Sequence, residues 1–475
     1  MKGDAIAGLG EKGREAMENA ETKAILAAAV AAAAVAVAVT WYCSSSSYSY
    51  AEWKRWWCCC SSASSSSGGG GGSDNESKRW RRLKSLPQSE ILSAIGNTPL
   101  IEIECLRGAR GSSCRIFAKL ESRNPGGSVK DRVALRVLQD AVASGAVTPF
   151  SGALVTEGTA GSTGVSLALC CRELGLRCHV VMPADAAREK SDAVMAFGGS
   201  VERVPPVNFT NRNHFVHVAR RRAHAEQEKH DEDKREMSKS SSTRSNGGGG
   251  GFFSNQFDNA SNFRAHYHGT GAEILKQTAG VVIDAFVCGA GTGGSIAGIG
   301  TRLRESNGEM LTVLADPHGS GLFNYVTRGV MYSGVEAEGT RLRNPVDTIT
   351  EGVGVNRCTA NLARANIDAA VRCSDAEAVE MAAFVLKRDG LFIGSSSAVN
   401  LVGAVRTAEH LTGIDAQRGN AGRDRVIITL LCDSGDRHKS KFHNADFLAN
   451  NGLTPHATSL EFLEVSGNSV VGAKR

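Results

Sequence analysis

One lysine and two further glycine-rich turns hold residues whose types and spacing can do chemistry. Lys130 stands where the tight turn Asn124-Pro125-Gly126-Gly127 runs into the amphipathic helical pattern Val129, Val133, Leu135, Val137, Leu138, Val142. The positive end of a helix disfavours an ammonium, and a neutral amine is the form that attacks an aldehyde to give a Schiff base. A single lysine is more often a solvated surface residue, so the other turns decide its meaning. Thr156-Glu157-Gly158-Thr159-Ala160-Gly161-Ser162-Thr163-Gly164 follows the apolar run Ala153-Leu154-Val155 and precedes the helical pattern Val165, Leu167, Leu169, Leu174. Backbone N–H groups and hydroxyls at such a helix start can seat a small anion such as a carboxylate. Gly289-Ala290-Gly291-Thr292-Gly293-Gly294-Ser295 follows the strand-like Val281 to Val287. Its glycines let backbone amides close around a phosphate, with Thr292 and Ser295 adding hydroxyl donors. A flexible structural turn explains either loop alone; both together with the lysine turn are harder to explain that way.

In order along the chain stand GNTPL, KLESRNPGGSVKDR, GTAGSTG, NQFDN, GTGGS, EGVG, GSSS and DSGDR. This ordered set resembles the cysteine synthase and cystathionine β-synthase family, fold-type-II enzymes that use pyridoxal 5′-phosphate. The resemblance runs from about residue 85 to about 450, beginning at Ile95-Gly96-Asn97-Thr98-Pro99-Leu100 and ending at Asp433-Ser434-Gly435-Asp436-Arg437. It implies an α/β fold of two wound subdomains with the active site in the cleft between them. The smaller, mobile subdomain is expected at about 125–262. Lys130 is implied to hold the cofactor and afterwards to move the Cα proton. Gly291, Thr292, Gly293, Gly294 and Ser295 are implied to bind its phosphate, and Ser396 its pyridine nitrogen, with Ser397 the second candidate. Thr159, Ala160, Gly161, Ser162 and Thr163, joined by Gln256, are implied to take the substrate's α-carboxylate. The implied reaction is β-replacement, in which O-acetylserine loses acetate and sulfide adds to give L-cysteine. A homodimer is implied as well.

The chain departs from the family pattern at named places. Where the family has an asparagine that meets the cofactor's 3′-oxygen and the substrate, this chain has Ser162, shorter and without an amide's paired donor and acceptor. Ala160 removes a hydroxyl, and Cys432 replaces a family proline. These changes leave the cofactor in place and bear on the donor, so serine or phosphoserine as donor, or simple dehydration, is an alternative. Another is a membrane-tethered binding protein that keeps the fold and has lost turnover. A different cofactor is also legible: Gly289-x-Gly291-x-x-Gly294 matches the dinucleotide fingerprint, and Asp316 follows about twenty residues on. That reading leaves Lys130 and residues 159–163 without a role, and the fingerprint normally lies in the first βαβ unit.

The elements that must position these turns are strands such as Arg177 to Met182 and Leu311 to Leu314, alternating with helical patterns as a wound parallel sheet requires. The chain has 475 residues, 41% apolar content, 54 glycines and a net charge of +5, which fits one large catalytic unit with low-complexity appendages. No basic stripe interleaved with aromatics points to nucleic acid. Thirteen cysteines include no CxxC pair, and no His/Cys cluster has metal-ligand spacing, so no metal is expected and reduced thiols in a cytosolic setting are the plain reading. No haem-binding extension, and no regulatory repeat after Leu453, is evident, which favours cysteine synthase over the larger cystathionine-forming enzymes.

The first 84 residues differ in kind. After a tail at 1–23, residues 24–42 are uncharged and apolar, long enough as a helix (roughly 28 Å) to cross a bilayer core. Trp41, Tyr42, Tyr48, Tyr50, Trp53, Trp56 and Trp57 follow, then Lys78, Arg79, Arg81, Arg82 and Lys84, the order expected of an interface and a cytosolic flank. Asp4, Glu11, Glu15, Glu18 and Glu21 speak against a cleaved signal or presequence. The expectation is a single-pass anchor with the catalytic part facing the cytosol; some fungal family members lie this way on the mitochondrial outer membrane. Residues 43–84 read as a Ser/Gly-rich linker in which Cys58, Cys59 and Cys60 are candidates for acylation. Residues from about 220 to 251 read as a low-complexity surface loop, and 451–475 as a tail.

Overall fold

Strands such as Arg425–Leu431 (RVIITLL) are nearly continuous apolar runs, as a parallel strand covered on both faces must be. The computed structural model describes residues 89–239, 249–332, 348–420, 422–463 and 469–474. The strands are β1 (Leu100–Glu102), β2 (Cys114–Leu120), β3 (Leu154–Gly158), β4 (Arg177–Pro183), β5 (Ser200–Val204), β6 (Gly251–Phe253), β7 (Ala285–Cys288), β8 (Leu311–Pro317), β9 (Ala369–Cys373), β10 (Arg425–Leu431) and β11 (Val471–Gly472). The helices that matter below are α1 (Lys130–Ala143), α2 (Ser162–Glu173), α3 (Arg188–Ala196), α4 (Phe215–Lys239), α5 (Gly294–Arg304) and α6 (Ser395–Gln417). A seven-stranded sheet runs β1-β2-β10-β7-β8-β9-β11, and a four-stranded sheet runs β5-β4-β3-β6. Pairing is parallel throughout the smaller sheet, and antiparallel in the larger one only at its edges, β1 with β2 and β11 with β9.

Side chains that alternate along each strand build separate cores on its two faces. In β10, Ile427 and Leu431 join Ala398, Leu401 and Val405 of α6, whereas Ile428 and Leu430 join Ile296, Ile299 and Leu303 of α5. The smaller sheet does the same. Val155, Val180 and Met182 pack with Leu138 of α1 and Leu167 of α2, and Val181 packs with Val218 and Ala219 of α4. Both sheets are therefore of the covered, wound kind, and the α/β class of two wound subdomains implied by the family resemblance holds.

The described part of the stretch from about 220 to 251, read as a surface loop, is helical as far as Lys239 and mostly exposed, with Ala223 buried. Val216, Val218, Ala219 and Ala223 of α4 are buried, and the Thr156 hydroxyl donates to the Ala219 carbonyl at 2.9 Å. The apolar stripe of α4 begins before residue 220, so a window on the charged segment alone misses it. The glycine run ends in close packing. A Cβ on Gly251 would lie 1.9 Å from the Ala223 carbonyl oxygen, so glycine lets α4 lie directly on the start of β6.

The single-pass placement in the mitochondrial outer membrane is corrected. Among the described residues no helix is long and apolar enough to cross a membrane, and no span is found to carry that placement. The tail 1–23, the apolar run 24–42 and the linker with Cys58, Cys59 and Cys60 lie outside the described residues.

Parallel strands send their connections out at one end, and β2, β3, β7 and β10 lead into the segments holding Lys130, Ser162, Gly291 and Asp433. Behind Lys130 lies a buried ion network. Arg132 donates through Nε to Glu121 at 2.7 Å and through Nη1 to Glu273 at 2.6 Å, and Lys119 Nζ reaches Glu273 at 2.7 Å. Thr98 joins it, its hydroxyl donating to Glu121 at 2.7 Å and accepting from Arg132 at 3.1 Å. Burial pulls Lys119 below its ordinary range; for Glu273 burial acts upward, but Arg132 and Lys119 outweigh it and hold the carboxyl at about 2. Replacing Arg132 by methionine leaves Glu121 and part of Glu273 uncompensated, and is expected to cost about 3–5 kcal/mol in chemical denaturation.

Candidate functional site

Lys130 opens α1 directly after Val129, whose N–H donates to the Cys432 carbonyl at 2.9 Å, while Ser128 bridges to Asp433. The lysine turn is thus stitched to the end of β10. On its other side, Asp131 accepts the Gly126 N–H and the Ser166 hydroxyl, each at 2.5 Å, joining the turn to α2. A Cβ on Gly126 would sit 2.4 Å from the Asp131 carboxylate, so the turn closes only with glycine there. No hydrogen bond or ion pair holds the Lys130 ammonium among the described residues.

Lys130, Ser162, Gly291, Thr292, Gly293, Ser295 and Ser396 line one cavity of about 550 Å³, counting its open mouth. Cys288, Glu351, Cys432 and Asp433 share its wall. Gly294 lies in the first turn of α5 just behind. Thr159, Ala160, Gly161, Thr163 and Gln256 flank the cavity without lining it.

The loop after β7 is shaped by backbone. Gly293 has φ +83°, and a Cβ there would lie 2.5 Å from Leu362 Cα. A Cβ on Gly291 would meet the Gly352 carbonyl oxygen at 2.3 Å, and one on Gly294 would meet Asn262 Oδ1 at 2.0 Å. Asn262 Nδ2 donates to Thr292 Oγ1 at 2.8 Å and to the Gln256 carbonyl at 2.9 Å, leaving its buried Oδ1 without a partner. His266 Nε2 stands 3.0 Å from Ser295 Oγ, and burial keeps that imidazole well below its usual range, hence neutral. Asn262, His266, Asn400 and Glu351 all shape the site. Glu351 belongs to the EGVG motif, though without an assigned role; Asn262, His266 and Asn400 did not stand out, since a lone Asn or His in a helix has no distinguishing spacing.

Gln256 does not point a free amide at the cavity. Its Oε1 accepts the Thr163 hydroxyl at 2.5 Å, and its Nε2 donates to Glu157 Oε1 at 3.3 Å and to the Gly158 carbonyl at 3.2 Å. It clamps residues 158–163 from behind. Ser396 and Ser397 are separated by the structure: Ser397 Oγ accepts the Cys432 N–H at 2.8 Å, while Ser396 faces the cavity.

These residues fit a phosphorylated pyridine aldehyde. An amine, a glycine cradle at a helix start, and a neutral hydroxyl converge on one space. The two carboxylates of the wall already have partners, Glu351 in Lys190 and Lys441 and Asp433 in the His438 imidazole. Burial raises both, but Lys190 and Lys441 hold Glu351 at about 2, and His438 does the same for Asp433.

Residues 91–433 match the family model described as "Pyridoxal-phosphate dependent enzyme". The chain belongs to this family. Cysteine synthase 2 of Neurospora crassa is 47% identical over 377 residues, covering 78% of this chain and 76% of that protein. Cysteine synthase 2 of Schizosaccharomyces pombe is 45% identical over 373 residues, covering 78% and 87%. The putative mitochondrial cysteine synthase of Saccharomyces cerevisiae is 42% identical over 359 residues, covering 75% and 84%. Among solved structures, O-ureido-L-serine synthase superposes with a TM-score of 0.58 at 27% identity, covering 78% of this chain and 98% of the other. The O-acetylserine dependent cystathionine beta-synthase from Helicobacter pylori gives 0.57 at 27%, covering 75% and 98%. The chain is therefore a fold-type-II, pyridoxal-phosphate-dependent enzyme of the cysteine synthase group. The dinucleotide reading falls with this, and Asp316, its expected ribose contact, is fully buried and accepts the Phe323 N–H at 2.8 Å.

Two buried acids near the site set a pH dependence. Burial pushes Glu157 up to about 7 and Asp131 up to about 6, in spite of their hydrogen bonds. Their folded forms hold a proton more tightly than the unfolded chain, so stability falls as pH rises from the ordinary carboxylate range through those values. Glu351 and Asp433, held at about 2, act oppositely: their contribution is present above the ordinary carboxylate range and is lost as pH drops toward 2. Thermal unfolding followed by circular dichroism should show Glu157→Gln losing less stability than the parent between pH about 4.5 and about 7.

Proposed function

We propose that this enzyme makes L-cysteine by β-replacement, taking O-acetylserine as amino-acid donor and sulfide as nucleophile. The observation that carries the reading is the meeting of Lys130, the 291–295 loop and Ser396 in one cavity, in a chain 45–47% identical to cysteine synthases. Lys130 holds the cofactor and then shuttles the donor's Cα proton. Gly291, Thr292, Gly293, Gly294 and Ser295 hold its phosphate through backbone amides and hydroxyls. Ser396 meets the pyridine nitrogen, and Ser162 stands at the 3′-oxygen. When bound, pyridoxal 5′-phosphate supplies the electron sink that lets the Cα proton and then the β-substituent leave. Ser396 offers the ring a neutral hydroxyl where a carboxylate would strengthen that sink, which suits elimination better than transamination. Residues 159–163 take the donor's α-carboxylate on the amides at the start of α2, with Gln256 bracing them. In this reading the smaller subdomain, about 125–262, closes on the bound carboxylate and excludes water from the reacting carbon. The catalytic unit spans about 85–450 and works as a homodimer, which sedimentation velocity on the purified protein tests.

Ser162 favours one second reading, a donor other than O-acetylserine, because a shorter side chain lines the cavity where the family has an amide. The deciding experiment follows the visible absorption of the cofactor-loaded protein as donors are added singly. O-acetylserine should shift the band, and sulfide should return it with release of cysteine. A shift with serine or phosphoserine but not O-acetylserine would transfer the assignment to that donor. Lys130→Ala should abolish the shift and lower turnover by at least about 10²–10⁴-fold.

A further inference from the structure

Helix α3 is tied at consecutive residues to segments that belong with the larger sheet. The Glu189 carboxylate accepts the Ser440 N–H at 2.5 Å and its hydroxyl at 2.7 Å. Lys190, 3% exposed, sends its ammonium to the carboxylate of Glu351 on the cavity wall. Glu351 is fixed in turn, its other oxygen accepting Lys441 Nζ at 3.2 Å and its N–H donating to Ser395 Oγ at 3.0 Å, next to Ser396. The lysine's stem has its own partner. A Cβ on Gly161 would lie 2.4 Å from Lys190 Cδ and 2.6 Å from its Cβ, so the stem packs directly beneath the 159–163 loop. Gly161 has φ +139°, outside what other residues adopt comfortably. One side chain thus touches the anion-seating loop of the smaller sheet with its stem and the cavity wall of the larger sheet with its charge.

We infer that Lys190 is a positioning residue: its pair with Glu351 sets the 159–163 loop at the distance from the cavity wall at which an amino-acid carboxylate is gripped. A buried ion pair is a weak source of stability, because desolvation offsets most of the attraction, but it discriminates sharply between arrangements that do and do not align its partners. Here the arrangement it selects is the spacing between loop and wall. The inference rests on the reading that residues 159–163 take the donor's carboxylate.

The test uses the cofactor-loaded full chain, with amino-acid binding read from the visible spectrum during titration with O-acetylserine and with unreactive L-alanine. Lys190→Met keeps the stem, and Lys441 still neutralises Glu351. It should weaken both amino acids about 10–100-fold, the span of a lost charged hydrogen bond, and raise KM more than it lowers kcat. Lys190→Arg should recover most of the affinity. Glu351→Gln, which breaks the pair from the other side, should weaken binding similarly, and the double variant should be little worse than either single one. Lower thermal stability with unchanged amino-acid affinity in Lys190→Met and Glu351→Gln would overturn the inference and leave Lys190 a structural staple. Thr163→Val separates the two readings. If it also leaves affinity unchanged, the carboxylate assignment has failed; if it alone weakens binding, only the role of Lys190 has.

Discussion

The buried set Lys119, Glu121, Arg132 and Glu273 is the constraint on which the site depends. Two cations and two carboxylates neutralise one another where water cannot; Thr98 and Asn124 also donate to Glu121, and the Thr98 hydroxyl accepts from Arg132. Such a set is tolerated only when complete. Arg132 lies two residues beyond Lys130 on the same helix, and Glu121 lies at the end of β2. Satisfying the network therefore fixes the start of α1 relative to the larger sheet, and with it the place where the lysine emerges. The GNTPL motif belongs to this network as much as to any ligand, since Lys119 donates to the Thr98 carbonyl at 2.5 Å and Gly96 donates to Asn124 at 2.9 Å.

From that fixed point the rest of the cavity follows from the strand ends. Parallel pairing aligns β2, β10 and β7, so the turns that leave them are neighbours although they lie far apart in sequence. The cradle itself is made of backbone, and residues from elsewhere occupy the places where Cβ atoms would be: the Asn262 side chain behind Gly294, the Leu362 backbone and Cβ behind Gly293. Glycine is required there by crowding as well as by conformation. Asn262 carries the cradle further, linking Thr292 to Gln256, and so joins the loop after β7 to the residue that clamps 158–163.

The departure at Ser162 has a structural setting. Thr163, Gln256 and Glu157 form a closed chain of hydrogen bonds that leaves the loop's rear surface fully satisfied. The shape of the loop is therefore held by residues the chain shares with its family pattern, while the exchanged side chain faces the cavity. The exchange thus alters the cavity wall without touching the hydrogen bonds that shape the loop.

The turns, their residue types and their order were legible in the sequence, because glycine, lysine and hydroxyl residues at strand and helix boundaries follow local backbone geometry. The strand class was legible too, from runs such as Arg177 to Met182, whose Val180 and Val181 face two different cores. Helix α4 was not, because its charged outer face conceals a stripe of small apolar residues that only the neighbouring sheet makes meaningful. The choice of Ser396 over Ser397 came from the family resemblance, and its physical reason, the Cys432 amide that occupies Ser397, is visible only in the structure. His266, Asn262 and Lys190 carry no local signature, and EGVG gives Glu351 no role, since each acts through a partner at least 29 residues away. Local sequence determines which backbone can turn and which side chain can react; distance across the cavity, and hence which groups meet, is decided only when both sheets pack.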